Sequence, residues 1–221
     1  MDERFPKWLR VFVRKLDFLA IPNIGMLVCG LAILAFIARA ILSTPFEHFV
    51  FDPQRVLQGE WWRLFAFPLS EGLSDPIWLI FYVLYVFYVM SALEGAWGAG
   101  PLTVFVLLGY VCALVGAFVT GQPVPIWYYI LENVSLAFGT LFPEVELYIY
   151  FILPVKAKWL AVLAGGIVLF QFLTGGPTTK LVLAISLLPY FLFFSPMLYG
   201  YAKRRWMVAK NRRRFDQDMW R

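Results

Sequence analysis

Six long stretches of this chain are apolar: roughly Ile24 to Leu42, Ile77 to Ala92, Leu102 to Thr120, Pro125 to Phe142, Lys158 to Leu173 and Leu181 to Tyr199. A helix needs about 20 mostly apolar residues to cross the hydrocarbon core of a bilayer, and each stretch approaches that length once some polar intrusions are accepted. The connection between the first two is long, and the others are short. From Pro143 to Leu153 the pattern changes: Val145, Leu147, Ile149, Phe151 and Leu153 fall on one side, and Glu144, Glu146, Tyr148 and Tyr150 mostly on the other. Alternation with period two is strand periodicity. An extended or hairpin element is predicted there, bounded by Pro143 and Pro154.

Composition agrees with this pattern. With 61% apolar residues and a mean hydropathy of +0.72, the chain exposes more apolar surface than one water-soluble core can hide. The expected fold class is an all-α membrane protein with six transmembrane helices and a long loop between the first and second. Residues 24–199 would form the membrane domain, flanked by a basic segment at 1–23 and a basic tail at 200–221. Ala38-Arg39-Ala40 near the end of the first stretch invites reading it as a signal peptide. The preceding region carries Asp2, Glu3 and Asp17, and Arg39 interrupts the cleavage-like triplet, so an uncleaved anchor is expected.

Charge sets the expected orientation, because short loops rich in Lys and Arg stay cytoplasmic. Arg4, Lys7, Arg10, Arg14 and Lys15 precede the first stretch, and a basic cluster follows the last. Both termini are therefore placed inside. The long first loop, with Glu47, Asp52, Glu60, Glu71 and Asp75 against Arg55 and Arg63, falls outside, and the connection with Lys156 and Lys158 inside. Cys29 and Cys112 lie within apolar stretches with no His or Cys at ligand spacing, which argues against a disulfide framework and a zinc site. No metal or cofactor is expected.

Within the long loop, Gly59-Glu60-Trp61-Trp62-Arg63-Leu64-Phe65-Ala66-Phe67-Pro68-Leu69 is too apolar for a free loop and too short to span. It should lie in the membrane interface or dip into it, since Trp favours the headgroup level and Arg can bond loop carbonyls or lipid phosphate. Interfacial anchoring alone also accounts for it.

These residues, in their order, resemble a known superfamily. Thr44-Pro45-Phe46, Phe51-Asp52-Pro53, Gly59-Glu60 with Trp62-Arg63-Leu64, and Leu93-Glu94-Gly95 with Trp97-Gly98 look like the order found across the rhomboid superfamily, over roughly Thr44 to Phe194. The same order resembles derlins, its non-proteolytic branch. Phe142-Pro143, Pro154 to Leu160 and Phe193-Phe194 add a likeness to prokaryotic rhomboid-like proteins. The resemblance implies a six-helix bundle in which Trp62, Arg63, Glu94, Gly98 and Gly139 belong to the shared framework.

It also implies a chemistry that can be compared with the residues. Rhomboid proteases use a Ser in a Gly-x-Ser context at the start of the fourth helix and a His on the sixth, whose imidazole takes the hydroxyl proton. The corresponding stretch here is Glu132-Asn133-Val134-Ser135-Leu136-Ala137-Phe138-Gly139, in which Ser135 matches the nucleophile's approximate place without the glycines. From Leu181 to Tyr199 there is no His, Lys or Cys, and the single histidine of the chain, His48, sits in the first loop. A lone Ser is a poor nucleophile without a base. Glu132, Ser135 and Gly139 fall on one helix face at i, i+3 and i+7, which makes Glu132 the candidate substitute base. A neutral Glu132 bonded to Asn133, Gln171 or a backbone carbonyl accounts for it equally. Glu132, Asn133 and Gln171 are also the intramembrane polar residues that would line a solute pathway.

Other features have plainer readings. Gly109, Ala113, Gly116 and Ala117 put small residues on one face of the third stretch and permit close helix packing. Trp78, Tyr82, Tyr85 and Tyr88 form an aromatic stripe suited to core or lipid contact. Arg39 would snorkel to the surface. Lys203, Arg204, Arg205, Lys210, Arg212, Arg213 and Arg214 place seven basic residues in twelve directly after the last stretch. Such a cluster is drawn to anionic lipid by about 1 kcal/mol per residue, so lipid at the cytoplasmic face, and not nucleic acid, is the expected partner.

The reading that follows is an inactive rhomboid-like pseudoprotease that recognises transmembrane client proteins, as derlin-like proteins of protein quality control do, and thins the bilayer locally. The sixteen residues from Ile77 to Ala92 give about 24 Å of helix, short of the roughly 30 Å core. A protease using Ser135 with an atypical base, and a small-solute transporter or channel, are the alternatives. The short loops point to a bacterial plasma membrane, with the endoplasmic reticulum as the other possibility.

Overall fold

The computed structural model describes residues 11, 13, 15–42, 49–66, 75–149, 153–195 and 207–208. Helix α1 is Ile24–Leu42, a short α2 is Pro53–Leu57, α3 is Pro76–Trp97, α4 is Ala99–Thr120 and α5 is Ile126–Leu141. Strands β1, Glu146–Ile149, and β2, Leu153–Lys156, lead into α6, Ala157–Thr174, and α7, Pro177–Ser186. A last segment, α8, Leu188–Ser195, continues α7 with a bend of 41°. Among these, α1, α3, α4 and α6 are long and apolar enough to cross a membrane, and α7 with α8 makes a fifth if the bent pair is one crossing. The chain is thus a predominantly helical membrane protein. His48 and the basic cluster Lys203, Arg204, Arg205, Lys210, Arg212, Arg213 and Arg214 lie outside the described residues.

Helix ends follow local chemistry. Asp75 caps α3 through a 2.8 Å bond from the Ile77 N–H, with Pro76 in the first turn, where a missing N–H costs nothing. The second apolar stretch does not stop at Ala92: α3 runs on through Glu94 to Trp97. Glu94 is tolerated because its Oε1 accepts the Asn23 N–H at 2.8 Å. Gly98 then joins α3 to α4 as a single residue at φ 90°, a conformation that a side chain would strain. With 22 residues, or about 33 Å, α3 is a full-length span and not the short one. Among the unbroken long helices the shortest is α5, with 16 residues, or about 24 Å.

The core forms where small residues let helices meet. Gly116 of α4 lies against Val182 of α7, and Gly109 against Ile130 of α5, with Ala113 and Ala117 fully buried between. A Cβ on Gly139 would stand 2.3 Å from the Cβ of Ala161, so α5 and α6 cross too closely for any side chain there. Three residues of the aromatic stripe of α3 face α5, while Trp78 is exposed: the Trp127 Nε1–H donates to the Tyr82 hydroxyl, Tyr85 reaches Ser135 and Tyr88 meets Phe138 edge-on. At the α3–α4 junction, Trp97 packs on Phe105, Phe193 and Phe194.

The expected hairpin is present, with Glu146 opposite Lys156 and Ile149 opposite Leu153. Val145 and Leu147 pack on the core, while Glu144 and Glu146 are exposed. Glu144 accepts from Lys156 at 2.8 Å and from Lys158 at 2.7 Å. These two hydrogen bonds pull its carboxyl down to about 2, and the carboxylate raises Lys156 in return.

Candidate functional site

The long loop is anchored and not merely adsorbed. Arg63 is buried; its Nε donates to Glu60 at 2.5 Å and its Nη1 to the Val50 carbonyl at 2.8 Å, and its guanidinium lies 4.8 Å from the Trp62 ring centre. Tyr110 of α4 donates to the Leu64 carbonyl at 2.7 Å, and the Val124 N–H to the Phe51 carbonyl at 2.8 Å. With the backbone held from within, Leu57, Trp61, Trp62 and Phe65 turn outward and stay exposed. That is the surface an interfacial loop requires.

Ser135 sits nine residues into α5, in mid-helix and not at its start. Its hydroxyl donates to the Leu131 carbonyl of its own helix and accepts from Tyr85, both at 2.7 Å. Neither partner is a base that can take its proton at neutral pH. The back-bond to the i−4 carbonyl is the ordinary way a helical serine satisfies itself. Glu132 makes no hydrogen bond to it, and one buried carboxyl oxygen of Glu132 has no partner.

The one face predicted for Glu132, Ser135 and Gly139 divides between two neighbours. Tyr128 accepts from Gln171 at 3.0 Å, Leu136 meets Gly165, and Gly139 meets Ala161; Glu132 lies between Tyr128 and Leu136 on this stripe toward α6, one turn from each. Ser135 turns the other way, to α3. Asn133 faces α7 and donates to the carbonyls of Tyr129, at 2.7 Å, and Ser186, at 2.8 Å. Glu132, Asn133 and Gln171 therefore meet different neighbours, and Gln171 bonds Tyr128, not Glu132.

The Asn133 bond explains how the last apolar stretch survives its bend. Pro189 supplies no N–H to the Ile185 carbonyl four residues back, and its ring clashes with a continuing helix, so α7 ends at Ser186. At this break Asn133 supplies the Ser186 carbonyl with a donor. Asn133 Oδ1 and Ser186 Oγ remain buried without partners beside it. Ser186 was not legible as a site residue, although Pro189 three positions on carried the signal for a break. Tyr85 was legible only as an aromatic, because its partner lies 50 residues away.

Around this site α3 and α6 share no packed interface; each packs on α5. The flank of α5 between them carries Ser135, bonded to Tyr85 of α3, and Tyr128, bonded to Gln171 of α6. Leu84 and Tyr88 on one side and Ile167 on the other are exposed. Among the described residues no three His, Cys, Asp or Glu side chains group as metal ligands. No protein-family model, curated protein or solved structure matches the chain.

Proposed function

We propose that this protein is a non-catalytic, rhomboid-like membrane protein that holds transmembrane client helices on the flank of α5 between α3 and α6. The observation that carries the reading is Ser135: at the place that resembles a nucleophile's, its hydroxyl is bonded to a helix carbonyl and a phenol. Losing a base from such a unit removes orders of magnitude in rate. The unpacked flank of α3 and α6 supports the client half of the reading, because it leaves apolar surface beside α5 where a helix can lie.

In this reading α5 and the α7–α8 pair complete six crossings. The termini and the hairpin then face the cytoplasm, as the Lys and Arg distribution favours, and the basic tail meets anionic lipid. The anchored Trp61-Trp62-Arg63 loop lies in the outer interface of a bacterial plasma membrane. Local thinning of the bilayer is supported by the short α5, the role first assigned to the second stretch.

The test is a fluorophosphonate probe and a panel of rhomboid substrates with the purified protein in bilayers, beside an active protease. Silence is expected from this protein. Labelling or cleavage that disappears in Ser135→Ala would overturn the reading and establish a protease.

A further inference from the structure

Glu132 is the one acidic side chain in the middle of α5. It is 93% removed from solvent even before any bilayer is added, being 7% exposed, and one of its carboxyl oxygens has no hydrogen-bond partner. A buried polar atom in that state is costly and rare in finished structures. An ionisable group within an apolar helix, one of whose buried oxygens nothing among the described residues satisfies, points to a group supplied from outside.

Its position says which side such a group would enter from. Glu132 lies between Tyr128 and Leu136 on the α5 stripe that turns toward α6, and α6 is the least buried of the four helices long enough to span alone. One turn away the Tyr128 hydroxyl and Gln171 are bonded to one another at an exposed edge. These two make a polar rim where α5 meets α6, with the carboxyl one turn further along α5. Neither α3, nor α6 beyond its first turn, carries a Lys, Arg or His. Lys180 of α7, another helix on α5, forms no ion pair with Glu132, so among the described residues the site offers an acceptor without a paired cation.

We infer that Glu132 is the recognition residue for client transmembrane helices that carry a basic side chain within the bilayer. This deepens the client-binding reading and rests on it. A Lys or Arg inside the hydrocarbon is as poorly solvated as the Glu132 carboxyl, and pairing relieves both. The long aliphatic stem of Lys suits an approach past the Tyr128–Gln171 rim, since it can lie against apolar surface while the charge reaches inward. A helix without such a residue gains only apolar contact, which lipid supplies equally well. Selectivity for misfitting, charge-bearing spans follows directly.

The experiment uses the full chain in phosphatidylcholine vesicles with a fluorescent 20-residue Leu/Ala helix bearing one central Lys, and the same helix with Leu in place of that Lys. Association is read by energy transfer from a dye attached to the protein. The expected result is that the Lys helix binds about tenfold more tightly than the Leu helix, that Glu132→Gln removes the difference, and that Glu132→Lys transfers the preference to a helix bearing Glu. Equal binding of the Lys and Leu helices to the wild-type protein overturns the role of Glu132 while leaving client binding in place. Binding of neither helix overturns both. An undiminished Lys preference in Glu132→Gln overturns the assignment whatever happens to the other variants.

Discussion

The Tyr85 hydroxyl donates to Ser135 Oγ across 2.7 Å, joining α3 to α5 through the serine that the proposed reading treats as a silent nucleophile position. Because Ser135 also donates to Leu131, its hydroxyl is oriented along its own helix. Tyr85→Phe removes the phenol and keeps the carbonyl bond, so the hydroxyl should stay unreactive. A fluorophosphonate probe is expected to leave both proteins unlabelled. Labelling of the variant alone would mean that Tyr85 masks a competent serine.

Gly139 tests the α5–α6 crossing. An added Cβ would collide with Ala161 and with the Ala157 carbonyl, 2.9 Å away, and both belong to helix and cannot swing aside. Gly139→Ala should cost about 1–3 kcal/mol as overpacking and lower the unfolding midpoint in detergent. Gly166→Ala is the control, because nothing stands within 4 Å of its Cβ position. It should leave the midpoint where it is or raise it.

Asn133 is predicted to hold the broken helix together. Asn133→Leu keeps the volume but strips the donor from the Ser186 carbonyl, leaving a buried group unsatisfied at about 1–3 kcal/mol. Amide exchange in α7 and α8 should accelerate more than in α4. Uniform acceleration across all helices would assign Asn133 to general packing instead.

The tie between Glu144 and its two lysines predicts a pH response at the hairpin. Glu144 titrates near 2 in the folded chain against an ordinary 4.5. A folded value below the unfolded one means that the contribution is present above about pH 4.5 and is lost as pH falls toward 2. Protection of the β1–β2 amides should decline across that window. Glu144→Gln should flatten the decline, and high salt should weaken it, because the pair is exposed.

What could be read in the sequence was what local pattern controls. The first apolar stretch and α1 share the bounds Ile24 and Leu42, and the alternation after Pro143 became the hairpin. The small face of the third stretch became the seat of α7. Glu94 misled, because a carboxylate in an apolar run looks like the end of a span until it is found accepting the Asn23 N–H. The break at Ser186 and the partners of Ser135 and Asn133 depend on residues about 50 positions distant, a relation that periodicity does not carry. For Glu132 the helix face was legible from spacing; the unpartnered carboxyl oxygen emerged only when α5 was packed among its neighbours.

The central claim is most directly tested by placing a photo-crosslinking residue at Leu84 and, separately, at Ile167, and illuminating the protein in bilayers with a labelled transmembrane client. One gel then reports binding and chemistry together. The account predicts a crosslinked band containing the intact client from both positions, reduced when the same residue is placed at Leu107 on α4, which the flank between α3 and α6 does not include. A shortened client fragment, or no band above the Leu107 control, would contradict it.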